Sequence, residues 1–267
     1  MSSRNSKASK EAARERLRAQ REKDAKRAKI RRQLFVGGGI VVVLAVAAGV
    51  AVAVNQMNKP GYWEAAANKP LVKPAHSSGK NGSSIVVGDP SNKHVLKVYE
   101  DLRCPVCAAF EQGSGDEVQD LAGKGKYQIS YTMGTFLDGP KSERGTGSKN
   151  ALSALGAALN VSTDAFVQYH KVLYSKDVHP DENSDVFGKD ANLIKYAQQV
   201  PALKNNKAFQ KAVEDGTYDK WALTMSKQFD TDGIGSTPTV KLDGQDVKNV
   251  QAMAGGQFTS TIMDMLK

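Results

Sequence analysis

Both cysteines of the chain lie in one tetrapeptide, Cys104-Pro105-Val106-Cys107. A Cys-x-x-Cys spacing allows reversible disulfide exchange when the first sulfur sits at a helix N-terminus. There, free backbone N–H groups and the positive end of the helix dipole stabilise a thiolate. Pro105 is suited to the first helical position, so Cys104 is expected at the cap with a lowered pKa. Arg103 is expected to add a cation beside it. Cys107, one turn further in, is expected to be the more buried, resolving partner. A zinc half-site would need two more ligands, and no second cysteine pair or closely spaced histidine pair exists; the four histidines (His76, His94, His170 and His179) read as ordinary, so no metal is expected. A purely structural disulfide across three residues would close too small a loop to stabilise much. Redox exchange is the chemistry this spacing supports. Glu100 and Asp101 lie just upstream, and either is a candidate proton relay or a plain salt-bridged carboxylate.

These side chains need a strand and a helix to hold them. His94 to Glu100 reads as a strand running directly into the motif, and Ala108, Ala109 and Phe110 continue a helix weakened around Gly113 and Gly115. Tyr127 to Met133 alternates as a second strand. A helical block follows, with apolar faces at Ala151/Leu152/Leu155/Leu159, Phe166/Tyr169/His170/Leu173, Leu193/Ile194/Ala197 (stopped by Pro201) and Trp221/Met225/Phe229. Then come a strand at Thr239 to Leu242, a turn at Asp243-Gly244, a short strand near Val247 to Val250, and a closing helix from Gln257 to Leu266. This order predicts an α/β fold.

Gly88-Asp89-Pro90, Val98-Tyr99-Glu100-Asp101, the cysteine motif and the later Gly235-Ser236-Thr237-Pro238-Thr239 together resemble the DsbA-like branch of the thioredoxin superfamily, over about residues 85–267. The resemblance implies a thioredoxin-like fold with an inserted helical subdomain at about 148–232. It implies that Pro238 is cis and faces the cysteines, and that Thr237 offers its backbone to an extended substrate segment; position alone would also allow an ordinary strand-start proline. No cofactor is expected. The dipeptide between the cysteines departs from the family's familiar Pro-His: Val106 cannot donate a hydrogen bond to the thiolate as a histidine could.

The 267 residues are 40% hydrophobic and 24% charged, a globular balance that excludes a multi-span membrane protein and wholesale disorder. The net charge of +9 is confined to the N-terminus: residues 1–32 carry 13 Lys and Arg against 4 Asp and Glu, and the remainder 24 of each sign. The basic balance therefore belongs to a tail without interleaved aromatics, and no nucleic-acid partner is expected. Leu34 to Val54 is an uncharged run of 21 residues, about 31 Å long as a helix, which fits a bilayer core. Arg31 and Arg32 precede it and only Lys59 follows closely, so the positive-inside rule places the N-terminus in the cytoplasm. A cleaved secretory signal with an Ala51-Val52-Ala53 site is the alternative; the length of the run favours an uncleaved anchor. The organisation expected is a basic cytoplasmic tail at 1–33, a transmembrane signal anchor at 34–54, an extracytoplasmic linker at 55–91 with breaker clusters at Lys59-Pro60-Gly61, Lys69-Pro70 and Ser77 to Ser84, and the domain at 92–267.

The function expected is a membrane-tethered, extracytoplasmic thiol–disulfide oxidoreductase, a monomer in the cell membrane that forms disulfides in exported proteins and is reoxidised by a quinone-linked membrane partner. The alternatives are a reductase or isomerase for exported thiols or cytochrome maturation, and a redox-inert tethered binding domain.

Overall fold

In the computed structural model, backbone is described for residues 3–57, 61–139 and 143–267, and side chains for 10–34, 46, 49–50, 61–139 and 143–267. The chain divides into two units, Met1–Pro60 and Gly61–Lys267. The described residues of the first form helix α1 (Ser3–Met57). Among the described residues no helix is long and apolar enough to cross a membrane. Most side chains of the expected span at 34–54 lie outside the described residues.

The second unit is built on a five-stranded sheet in the order β1-β3-β2-β4-β5. β2 (Val95–Asp101) lies at its centre, parallel to β3 (Gln128–Gly134) and antiparallel to β4 (Thr239–Leu242); β1 (Ile85–Val87) and β5 (Gln245–Asp246) are the antiparallel edges. Five of the seven residues of β2 are buried, including the four from Val98 to Asp101 that lead to the cysteine motif, as a central strand covered on both faces requires. Between β2 and β3 runs α3 (Pro105–Gly123). Between β3 and β4 the helical block consists of α4 (Gly147–Val161), α5 (Thr163–Tyr174), α6 (Asp190–Ala197), α7 (Lys207–Glu214) and α8 (Asp219–Thr231), and α9 (Gln257–Met265) closes the chain. This is a thioredoxin-like α/β fold with a helical insertion.

Strand alternation distributes the helices. Tyr131 points towards α3 and α5, where Gln119 donates to its hydroxyl at 2.8 Å and the Phe166 ring lies 5.7 Å away. Gly134 faces α8, and a Cβ there would meet the Phe229 ring at 3.1 Å. Within the insertion, Gly156 of α4 lets Trp221 of α8 approach to a distance that any side chain would block.

Three expectations change. The linker expected at 55–91 gives way at Gly61 to the compact unit: α2 (Tyr62–Ala66) buries Trp63, Trp221 donates its indole N–H to the Gly82 carbonyl at 2.7 Å, and Tyr62 donates to Asp219 at 2.7 Å. Its Pro, Gly and Ser residues from Gly61 onwards belong to the domain. The strand expected near Val247 to Val250 is instead the two-residue β5, because Asp243 and Gly244 make a tight turn with positive φ and the ladder ends at Val247, leaving Val250 in a 3-10 turn. Finally, α3 runs unbroken through Gly113 and Gly115. Gly113 passes against the Met253 carbonyl, where a Cβ would come within 2.8 Å; at Gly115 a Cβ would come within 2.5 Å of the Glu111 carboxylate. These close approaches account for two glycines that each cost a helix about 1 kcal/mol.

Candidate active site

Cys104 caps α3 in an extended conformation with Pro105 at the first helical position. Both cysteines are free thiols; Cys104 is 6% exposed and Cys107 fully buried. The Cys104 pKa is lowered to about 6. The Cys107 thiol donating to the Cys104 sulfur is the largest cause, followed by Thr237 and by the backbone N–H groups of Cys107 and Val106, all working against burial. Burial pushes the Cys107 thiol well above its ordinary range, reinforced by the hydrogen bond to Cys104 and by the nearby Glu100 carboxyl. The pair is thus split into a nucleophile that ionises below neutrality and a partner that holds its proton. Val106, between them, is 43% exposed.

β4 pairs with β2 through Thr239 and Tyr99, and this register brings the residues before it to the Cys104 end of the sheet. The Thr237–Pro238 peptide bond is cis, and the Cys104 thiol donates to the Thr237 carbonyl at 3.7 Å. The Thr237 hydroxyl is buried without a hydrogen-bond partner, and the Thr237 side chain is among the groups that lower the Cys104 pKa.

Arg103 departs from its expected role. Its guanidinium is buried and binds the Asp138 carboxylate at 3.0 Å, the Arg144 carbonyl at 2.9 Å and the Glu182 carbonyl at 2.8 Å. A buried cation must be paired, and this one is committed to the junction with the helical insertion rather than to Cys104. Alternation along β2 also separates the two neighbouring carboxylates. Asp101 turns towards the insertion, accepting from Ser148 Oγ at 2.6 Å, the Arg103 N–H at 3.0 Å and the Leu137 N–H at 3.1 Å; it fixes the loop that carries Cys104. Glu100 points to the α3–α5 side and interacts electrostatically with both cysteines. Burial raises its pKa to about 8.

Two further residues complete this interior. Glu111 of α3, half-buried as a residue and likewise raised by desolvation to about 8, hydrogen-bonds Glu100, and His170 of α5 places Nε2 at 3.0 Å from Glu100 Oε2 and Nδ1 at 3.9 Å from Glu111 Oε2. His170 was expected to be ordinary. The three ligand-type atoms lie within 4.8 Å of one another, so among the described residues this is the group whose donors could hold a metal ion. Glu111 could have been read from the sequence, since it lies four residues beyond Cys107 and shares its helical face. His170 is 70 residues from Glu100 and carried no local signal.

The thioredoxin family profile matches residues 80–260. The fold is similar to the reduced disulfide bond oxidoreductase DsbG of Mycobacterium tuberculosis, at 25% identity and a TM-score of 0.53, covering 70% of this chain and 91% of that one. It is also similar to oxidised DsbA of M. tuberculosis, at 25% identity and a TM-score of 0.51, covering 67% and 94% respectively. Among curated proteins, 168 residues are 23% identical to the serine/threonine-protein kinase PknE of M. tuberculosis, covering 62% of this chain and 30% of the kinase. The chain thus spans less than a third of the length of the curated relatives it matches. With the family match extending over more than half its length, the chain belongs to the thioredoxin family, and its fold is similar to that of these disulfide oxidoreductases.

Proposed function

We propose that this chain introduces disulfide bonds into exported proteins from a membrane-tethered, extracytoplasmic position. The observation that carries the direction is the split between the two thiols: Cys104 ionises at about pH 6 while Cys107 is held protonated. A stabilised thiolate favours the reduced enzyme and makes Cys104 a good leaving group, so the disulfide form is an oxidant.

In the forward direction a substrate thiolate attacks Cys104 Sγ, the Cys104–Cys107 bond breaks and Cys107 leaves as a thiolate. Glu100, neutral because it is buried, gives that thiolate a proton. A second substrate thiolate attacks the substrate sulfur of the mixed disulfide and releases Cys104 as its stabilised thiolate. The Thr237 backbone beside Cys104 is placed to pair with an extended substrate segment, and the exposed Val106 presents an apolar contact to it. Two electrons pass from the substrate dithiol to the enzyme disulfide, and a quinone-linked membrane partner restores the disulfide.

The tethering part of the proposal rests on the apolar run 34–54 and the basic residues before it. Mixing oxidised full-length protein with a reduced, unfolded dithiol polypeptide tests the activity. Stoichiometric transfer of the disulfide to the polypeptide is expected; a polypeptide that stays reduced while the enzyme stays oxidised would overturn the proposal.

A further inference from the structure

Behind the cysteine pair, three elements bring together a donor set that no fixed cation serves. Glu100 of β2, Glu111 of α3 and His170 of α5 each offer one ligand-type atom, all within 4.8 Å of one another. Nε2 of His170 lies 3.0 Å from Glu100 Oε2, and its Nδ1 lies 3.9 Å from Glu111 Oε2. Glu100 is fully buried, and the side chains of Glu111 and His170 are only 7% and 3% exposed. Buried carboxylates need a positive partner. Among the described residues, the ion pairs of both carboxyls are with this imidazole alone. The nearby cations are engaged elsewhere, Arg103 with Asp138 at 3.0 Å and Lys171 with Asp116 at 2.5 Å.

The orphaned oxygens are an independent observation. Apart from the contact between the two carboxyls themselves, Oε1 of Glu100 and Oε1 of Glu111 are buried without a hydrogen-bond partner, so each keeps lone pairs for a ligand. The atom types select that ligand. Magnesium and calcium take oxygen donors, whereas an imidazole nitrogen beside two carboxylate oxygens suits a first-row transition ion such as zinc. Two carboxylates also balance its double charge. Around a tetrahedral zinc with bonds of about 2.0–2.2 Å, ligand atoms stand about 3.4 Å apart. Closing to that spacing from at most 4.8 Å takes about 1.4 Å, within reach of the long Glu111 side chain. Access is through a cleft of about 250 Å³ between α3 and α5, lined by Glu111 and His170 with Asp116 and Gln119 beside them. Gly115, also on its wall, leaves room for the Glu111 carboxylate, since a Cβ there would come within 2.5 Å of Oε2.

We infer that Glu100, Glu111 and His170 form a binding site for a divalent transition-metal ion, zinc being the best fit, with the fourth position open to water in the cleft. The ion ties β2, α3 and α5 together behind Cys107. With it bound, Glu100 is a ligand and not an acid, so the exchange described above belongs to the ion-free protein. The site itself stands whichever way the disulfide chemistry runs.

The test uses oxidised full-length protein, in which Cys104 and Cys107 are joined and do not compete for the ion. Zn²⁺ titrated by calorimetry into metal-stripped protein should bind at one equivalent. Glu111→Gln and His170→Gln should each weaken binding by about a hundredfold or more, since even an outer-shell partner of a metal is worth about 10–100-fold. His94→Gln should leave it unchanged, which separates the site from the surface His94–Asp243 pair at 2.7 Å. X-ray absorption of the zinc-loaded wild type should show one imidazole and otherwise oxygen ligands, and this reading needs no variant to fold. Failure of Zn²⁺ to bind stoichiometrically, binding that survives both variants, or a ligand shell with no imidazole or more than one would overturn the inference.

Discussion

Thr237→Val removes one hydroxyl beside the nucleophile and keeps the branched shape. In the wild type that hydroxyl is buried without a hydrogen-bond partner, and the Thr237 side chain helps hold the Cys104 pKa at about 6. A hydrogen bond to a charged group is worth about 1.5–3 kcal/mol. At about 1.36 kcal/mol per pKa unit, its loss should raise the Cys104 pKa by about 1–2 units, to roughly 7–8. The oxidised enzyme has no thiolate, so the change acts on the reduced form alone. At pH 7 a pKa of about 6 favours that form by about 1.4 kcal/mol over an ordinary thiol, and the variant should lose most of this. With 1.4 kcal/mol equivalent to about 30 mV for two electrons, its potential should fall by about 20–30 mV. The sign follows from a depressed pKa: the stabilisation is complete at pH values above that of an unperturbed cysteine and fades as the pH falls through 6. Thiolate ultraviolet absorbance of the reduced variant, titrated beside the wild type, measures the shift. An unchanged midpoint would show that Thr237 does not solvate the thiolate.

Further tests address the other parts of the account. Cys107→Ser should trap mixed disulfides through Cys104, whereas Cys104→Ser should form none, as seen by non-reducing electrophoresis with a dithiol polypeptide. Arg103→Met should destabilise the protein by about 3 kcal/mol or more, because it leaves Asp138 buried without its guanidinium, yet leave the Cys104 titration near 6. Denaturant unfolding and thiolate absorbance separate the two effects, and a large rise in the Cys104 pKa would restore Arg103 as its cation. Protease added outside intact spheroplasts should remove the domain and leave a small N-terminal fragment; full protection would contradict the tethered topology.

The cysteine pair, the helix it caps and the strands on either side were legible because they depend on local pattern: a Cys-x-x-Cys with Pro105 at the first helical position, and alternating residues in β2 and β3. The choice between Glu100 and Asp101 was not legible. It depends on which face of β2 meets which helix, and that is decided by the insertion. Arg103 was misread for the same reason: proximity in sequence to Cys104 said nothing of Asp138, 35 residues later, which captures it. The domain start was misplaced because turn-forming residues at 61–84 look like a tether until Trp221, from the far end of the insertion, is seen to bind Gly82. α7 escaped because its buried side chains are few, mainly Phe209 and Val213, spaced four apart in a polar segment; its Asn206 cap, accepting from the Phe209 N–H at 3.0 Å, was the available signal.

The central claim is that Cys104 is a stabilised thiolate and Cys107 a held thiol, and the pH dependence of the reduction potential tests both at once. Full-length protein equilibrated with thiol–disulfide buffers should show a slope of about 59 mV per pH unit below pH 6, where reduction takes up two protons with its two electrons. Above that break the slope should fall to about 30 mV per unit, because Cys104 then remains ionised and only Cys107 takes a proton. A single steep slope continuing up to the range of an ordinary cysteine would mean that Cys104 is not stabilised, and the account of this protein as an oxidant would fail.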